Sequence, residues 1–307
     1  MKSRSFFIFL GIFPILFASC GRQSKESSVS SLETKKNDGF FVEVPIPRYS
    51  STQSPCIDVW IEGKLLSMEL DLGLQGDLTL EEDWIDQIET KTFLRTKTMY
   101  GIQGTEYPTH LFRVPKVKIG NLVFLDSVLQ QNGQNFSGDS VFVNNGEEPS
   151  KSEPGRLGWE LFHNTNLLID LVNSRICGSD SIATLKNHGL FLKTFSVAPL
   201  YTDRGLLEFD VDCSLGSIRC VLDSGCTWNL LHVDRGDSIK QMIWEPENIL
   251  ECTDFNINGI DFESVAFHQV PIRLPIQIDA ILGMEFFRDH LVFINFSERL
   301  VYISKYE

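Results

Sequence analysis

The stretch Gly216-Ser-Ile-Arg-Cys-Val-Leu-Asp-Ser-Gly-Cys-Thr-Trp-Asn-Leu-Leu231 decides how this chain folds. An apolar run of β type leads into Asp223, and the turn residues Ser224 and Gly225 follow. Leu230 then starts a second apolar segment, so the acid is presented from a sheet. An isolated Asp-Ser-Gly triplet is most often an ordinary β-turn, and the triplet alone therefore predicts no function.

The first half of the chain repeats this pattern. A shift of 152 residues, from Asp71 to Asp223, places Leu70-Asp-Leu-Gly73 over Leu222-Asp-Ser-Gly225. Two further blocks recur in the same order: residues 117–124 match 255–262 around Gly-Asn or Asn-Gly hairpin turns, and residues 157–162 match 282–287. Three ordered blocks indicate an internal duplication and therefore two related units.

The second half resembles the retropepsin-like aspartic proteases. The likeness rests on Asp223-Ser-Gly225, on Ala280-Ile-Leu-Gly-Met-Glu-Phe-Phe287, and on the apolar segments 292–296 and 299–303. The first half resembles the same domain more loosely, so that the likeness covers about residues 40 to 307. It implies a mainly all-β, bilobal acid-protease fold of the pepsin-like kind, with two related β-barrel-like lobes and few short helices.

The resemblance also implies the chemistry. Asp71 and Asp223 would form the catalytic pair, with a peptide or protein as substrate and no cofactor or metal. Two carboxylates about 3 Å apart cannot both ionise, so they share one proton: one activates a water and the other protonates the peptide carbonyl. The residues expected to support the two turns are Gly73, Ser224, Gly225 and Cys226, and those of the closing loops are Arg156, Gly158, Leu282 and Gly283.

Lobe 1 departs from the family pattern. Members of the family have Thr or Ser after the aspartate and usually a small residue after the glycine, whereas this chain has Leu72 and Leu74. Arg156 stands in the place of the apolar Ile281. We expect its guanidinium to lie near Asp71, where a cation favours the ionised carboxylate and opposes proton sharing.

A hairpin is predicted over residues 92–112, with Tyr100, Gly101, Gln103 and Gly104 around its tip. In pepsin-like enzymes a glycine-tipped hairpin of the first lobe covers the substrate, which makes these residues the flap candidates. A plain surface hairpin is the other interpretation.

The N-terminus has the pattern of an export signal. Residues 1–19 combine a basic start, an apolar run too short to span a bilayer and small residues before Cys20. This resembles a bacterial lipoprotein signal, although Phe17 stands where Leu is usual. We expect Cys20 to be lipidated, residues 20–38 to form a flexible tether to a membrane of the bacterial cell envelope, and residues 39–185 and 186–307 to form the lobes. A secreted or periplasmic protein without the lipid is the alternative.

The composition excludes some partners and leaves the cysteines open. The formal net charge of −14 disfavours nucleic acid and anionic membrane as partners. Export permits disulfides, and Cys213 and Cys220 are close enough in sequence to bridge a hairpin, but free buried thiols are equally compatible with the pattern. Without a Cys-x-x-Cys motif or clustered histidines, no metal site is predicted.

Three functional hypotheses follow. The first is an aspartic endopeptidase that uses Asp71 and Asp223 within a two-lobed monomer. The second is a pseudoprotease that binds peptides or partner proteins in the cleft without cleaving them, as Leu72, Leu74 and Arg156 suggest. The third is a retropepsin-like homodimer in which two copies of lobe 2 pair.

Overall fold

The computed structural model describes residues 40–47, 54–100, 106–132, 154–190, 195–232, 249–272 and 274–306. Within these ranges the chain forms twenty-one β-strands, three short α-helices and one short 3-10 helix. The prediction of a mainly β, two-lobed fold is therefore confirmed. The expectations for residues 1–19, for Cys20 and its tether, and for Gly101, Gln103 and Gly104 concern parts of the chain outside the described residues.

The strands and helices follow one another along the chain in this order. The first half contains β1 (Phe41–Pro45), β2 (Cys56–Ile61), β3 (Lys64–Leu70), β4 (Leu78–Glu81), α1 (Glu82–Ile85), β5 (Thr92–Tyr100), β6 (Glu106–Ile119), β7 (Leu122–Asn132), β8 (Gly155–Leu157), the 3-10 helix Trp159–Phe162, β9 (Asn166–Asp170), β10 (Arg175–Ser179) and α2 (Ile182–Asn187). The second half contains β11 (Ser196–Pro199), β12 (Glu208–Cys213), β13 (Gly216–Leu222), β14 (Leu230–His232), β15 (Ile249–Thr253), β16 (Asn256–Ile257), β17 (Ile260–Asp261), β18 (Ser264–Val270), β19 (Ala280–Leu282), α3 (Met284–Asp289), β20 (His290–Asn295) and β21 (Leu300–Lys305).

Two local expectations need correction. The apolar spacing of residues 80–88 predicts a short helix, but this segment begins as a strand: Leu80 lies within β4, and the helix α1 is only one turn long. The polar composition of residues 130–155 predicts a loop, but β7 continues through Asn132 and Gln130 is buried. Among the described residues, no helix is long and apolar enough to cross a bilayer.

The strands form three sheets. A seven-stranded sheet of order β2-β3-β8-β4-β7-β6-β5 belongs to the first half, and β2 also pairs with β6, which curls the sheet towards a barrel. An eight-stranded sheet of order β15-β18-β14-β19-β13-β12-β16-β17 belongs to the second half. The third sheet, of order β1-β10-β9-β20-β21-β11, takes three strands from each half and joins the two lobes.

The shared sheet carries the symmetry of the duplication. Its central strands β9 and β20 run antiparallel, and Leu168 faces Phe293. The offset of 125 residues that aligns 157–162 with 282–287 also aligns Leu168 with Phe293, and both side chains are fully buried. A residue faces its own counterpart where a two-fold axis relates two copies, so an approximate two-fold axis passes between the lobes at this pair.

The acid turns occupy equivalent places in the two lobes. The strand before each acid, β3 or β13, runs parallel to the closing strand, β8 or β19. The closing strand in turn runs antiparallel to the strand after the turn, β4 or β14. Because the closing strand lies between the other two, each acid turn and its closing glycine meet at one end of the sheet.

Candidate active site

Asp71 and Asp223 lie directly after β3 and β13 and are held in the same way. The Asp71 amide donates to the Leu157 carbonyl at 2.9 Å, and the Asp223 amide donates to the Leu282 carbonyl at 3.0 Å. Asp71 is 6% exposed and Asp223 is half-buried. The two carboxyl groups are hydrogen-bonded to each other, so residues 152 positions apart form one site.

The glycine of each turn packs on the acid of the other lobe. A Cβ atom added to Gly73 would lie 2.6 Å from Oδ1 of Asp223, and one added to Gly225 would lie 2.6 Å from Oδ1 of Asp71. Side-chain carbons do not approach carboxylate oxygens so closely. Only glycine therefore permits this approach of the two turns.

Ser224 ties lobe 2 to lobe 1. Its buried hydroxyl donates to the Leu70 carbonyl at 2.6 Å and accepts from the Leu72 amide at 3.1 Å. The counterpart in lobe 1, Leu72, has no hydroxyl, and its fully buried side chain joins the large hydrophobic core. Leu74 is buried as well. The hydrogen bonds that Ser224 makes to the opposite acid turn therefore have no counterpart from Leu72, whose side chain makes apolar contacts instead.

The closing glycines are anchored by polar residues that the sequence analysis missed. The Gly283 amide donates to Oδ1 of Asn229 at 3.0 Å, and the Asn229 amide donates to Oε2 of Glu285 at 2.9 Å. In lobe 1 the Gly158 amide donates to the backbone carbonyl of Asp77 at 2.8 Å. A signal did exist in the repeat: a polar residue stands six positions after each acid.

Arg156 contacts the acid of its own lobe. Its Nη1 lies 3.2 Å from Oδ2 of Asp71, and its Nε lies 3.0 Å from Oε2 of Glu69. The parallel pairing of β3 with β8 puts Glu69 opposite Arg156. The arginine side chain remains 36% exposed. Glu69 is a further member of the site that the sequence analysis did not name.

The surroundings of Asp223 change its proton affinity. Burial, and then the negative charge of Asp71, raise the pKa of Asp223 to about 8. The Gly225 amide, which donates to Oδ1 of Asp223 at 2.9 Å, and the charge of Arg156 oppose this rise only in part. These surroundings of Asp223 therefore favour its protonated form.

Cys226 stands beside this pair as a thiol. Burial, and next the charge of Asp223, raise the pKa of Cys226 well above its usual value. Its Sγ donates to the Trp228 carbonyl at 3.1 Å. A thiol held protonated is a poor nucleophile.

The hairpin of β5 and β6 is present, and Tyr100 faces Glu106 at its last described pair. Burial lowers the pKa of Lys97 on β5, and the nearby charge of Glu160 opposes this shift. Glu160 belongs to the 3-10 helix after the closing glycine of lobe 1, so the hairpin stands beside the candidate site.

The arrangement places two carboxyl groups in contact at the junction of two lobes, and a pair of this kind can accept one proton and release another. Within the described residues, no group of three or more His, Cys, Asp or Glu side chains is placed to hold a metal ion. No protein-family model matches the chain, and no curated protein matches it either.

Proposed function

We propose that this chain is an aspartic-type endopeptidase that hydrolyses peptide bonds with a water activated between Asp71 and Asp223. One observation carries the proposal: two equivalent turns bring their carboxyl groups into a hydrogen bond, and each turn places its glycine against the other acid. The two-fold relation of the lobes supports a relationship to the retropepsin-like proteases. Because a single chain supplies both acids, the proposal needs only a monomer.

The roles of the two acids follow from their environments. Asp71, which lies beside Arg156, removes a proton from the water as its oxygen attacks the peptide carbonyl. Asp223 gives its proton to the carbonyl oxygen, which yields a neutral tetrahedral diol. When the C–N bond breaks, Asp71 passes its proton to the leaving amine and Asp223 recovers one from the diol, so the pair regains its starting state.

A second function, binding of peptides without cleavage, is supported by the same Arg156. A guanidinium 3.2 Å from Asp71 stabilises the carboxylate and weakens it as a base. Leu72 adds to this, because it has no hydroxyl with which to return to lobe 2 the hydrogen bonds that Ser224 makes to the Leu70 carbonyl and the Leu72 amide. A pseudoprotease would keep the cleft and lose the proton transfer.

The experiment offers a peptide library to the purified full-length protein, in detergent, and to its Asp223→Asn variant. Asp212→Asn, an exposed acid on β12, serves as the matched control. Cleavage by the wild type and the control that is lost in Asp223→Asn supports the endopeptidase. Saturable binding without cleavage selects the pseudoprotease, and the absence of both contradicts either function.

The anchoring of this activity follows from the N-terminal pattern. We propose that the endopeptidase acts at a membrane of the bacterial cell envelope, held there by lipid on Cys20. Incorporation of a labelled fatty acid into the wild type, and its loss in Cys20→Ser, is the expected result. Release of an unlabelled, processed wild-type chain would favour the secreted form.

A further inference from the structure

Three thiols of lobe 2 face one core. They belong to Cys213 at the end of β12, Cys220 on β13 and Cys252 on β15. Cys220 and Cys252 are fully buried in the large hydrophobic cluster, and Cys213 is half-buried and packs against it. Cys213 is therefore the thiol of this group that solvent reaches.

The ends of β12 and β15 are tied together beside two of these cysteines. The Ser214 amide donates to the Thr253 carbonyl at 2.9 Å, and the Thr253 amide donates to Oγ of Ser214 at 3.2 Å. The residues just before these two are Cys213, whose Sγ donates to the Gly216 carbonyl at 3.6 Å, and Cys252, whose side chain interacts with that of Cys213.

The hairpin of β12 and β13 keeps Cys213 and Cys220 apart. Its register places Cys213 opposite Gly216 and places Cys220 opposite Phe209. The described cysteines are all free in the structure, so the bridge between Cys213 and Cys220 that the spacing suggested is not formed. The partner that the fold brings to Cys213 comes instead from β15, a strand distant in sequence.

We propose that Cys213 and Cys252 are a redox pair that closes to a disulfide by exchange with a low-molecular-weight disulfide. The Cys213 thiolate attacks one sulfur of that disulfide, which forms a mixed disulfide and releases one thiol. The Cys252 sulfur, after losing its proton, attacks the Cys213 sulfur and releases the second thiol. The two cysteines lose two electrons and two protons, and the reagent takes up both.

The environments of the two thiols set the order of these steps. Burial, and next the neighbouring Cys213, raise the pKa of Cys252 to about 12. Cys252 therefore remains a thiol until the mixed disulfide stands beside it, whereas Cys213 meets the reagent directly. The second step is expected to accelerate as the pH rises from 7 to 9.

The test oxidises the purified full-length protein with glutathione disulfide, blocks the remaining thiols with an alkylating reagent and digests the protein with trypsin without reduction. Cleavage after Arg204, Arg219, Arg235, Lys240 and Arg273 separates the three cysteines: Cys213 lies in peptide 205–219, Cys220 in peptide 220–235 and Cys252 in peptide 241–273. The expected product is peptide 205–219 linked to peptide 241–273, with a mass two hydrogens below the sum of the free peptides.

Two variants test which cysteines form the disulfide. Cys220→Ser is expected to keep the linkage, and Cys213→Ser, at a half-buried position, is expected to abolish it. A linkage of peptide 205–219 to peptide 220–235, or recovery of peptides 205–219 and 241–273 with every thiol alkylated, overturns the proposal. The redox pair does not depend on the acid chemistry, and the Asp223→Asn variant should form the same disulfide.

Discussion

Arg156 and Asp71 are joined across neighbouring parallel strands, with Nη1 of the guanidinium 3.2 Å from Oδ2 of the carboxylate. The register that pairs β3 with β8 makes this contact unavoidable, since it sets Arg156 beside the strand that ends in the acid. The corresponding place in lobe 2 holds the apolar Ile281. The two acids of the site therefore differ in their surroundings although their turns match.

Replacing Arg156 is expected to move the pH dependence of cleavage. The charge of Arg156 lowers the pKa of Asp223, so Arg156→Ile should raise that pKa and shift the basic limb of kcat/KM to higher pH. The measurement is peptide cleavage from pH 3 to 9. Arg156→Lys, which keeps a cation, is the control, and an identical profile in Arg156→Ile would show that the arginine has no role in proton transfer.

Asp223 is expected to make stability depend on pH. Its pKa is about 8 in the folded chain against an ordinary value of 3.8, so the folded state prefers the protonated acid. This contribution is fully present below about pH 4 and is lost as the pH rises through about 8. At pH 8 the free energy of unfolding of Asp223→Asn should therefore exceed that of the wild type by on the order of 1 to 3 kcal/mol.

The advantage of Asp223→Asn should shrink towards pH 4, because the folded acid stays protonated there and the unfolded acid is only partly ionised. Urea unfolding at pH 4, 6 and 8 measures the difference, with Asp212→Asn as an exposed control that should show none of it. A difference independent of pH would mean that the buried proton is not at Asp223.

Removal of the Ser224 hydroxyl is expected to lower the free energy of unfolding by more than the loss of one small group suggests. Ser224→Ala leaves the Leu70 carbonyl and the Leu72 amide without their partner in a buried place, which costs about 1 to 3 kcal/mol. Cleavage should fall as well, because the turn that presents Asp223 loses its link to lobe 1. Thermal unfolding and kcat/KM, measured on one preparation, check both effects.

The matching position in lobe 1 should behave differently. Leu72→Thr introduces the hydroxyl that the family pattern has there, but it removes a fully buried side chain from the core. We expect a loss of about 2 kcal/mol in the free energy of unfolding and no gain in kcat/KM. A gain in activity would show that the threonine hydroxyl reaches across to lobe 2.

The two turn glycines should tolerate no side chain. Gly73→Ala and Gly225→Ala each place a Cβ against the carboxyl group of the opposite acid, and cleavage should fall by about 100-fold or more. Gly216→Ala is the control: its φ of +95° makes alanine strained, by about 1 kcal/mol, but nothing lies within 4 Å of the added atom. That variant should lose stability and keep its activity.

Much of this architecture could be predicted from local patterns. The repeated acid and glycine turns, the Gly120-Asn121 and Asn258-Gly259 hairpins and the apolar alternation each depend on residues close together in sequence. A duplicated pattern also implies a two-fold relation, which the facing pair Leu168 and Phe293 realises. Such features follow from strand periodicity and turn chemistry, which act over a few residues.

Other features depend on which distant strands become neighbours. Glu69 joins Arg156 and Asp71 only because β3 pairs with β8 in one register, and Cys213 meets Cys252 rather than Cys220 because β15 ends beside β12. Spacing along the chain favours Cys220 as the partner of Cys213. The hairpin register instead places Cys213 opposite Gly216 and Cys220 opposite Phe209.

The sequence by itself determined the mainly β content, the duplication and the identity of the two acid turns, because these are written in short repeating patterns. The tertiary structure alone decided that Glu69 joins Arg156 beside Asp71, that the Leu72 side chain packs into the core and that Asn229 anchors Gly283. The physical reason is that side-chain contacts and proton affinity depend on burial and on charges brought together through space, which no linear spacing encodes.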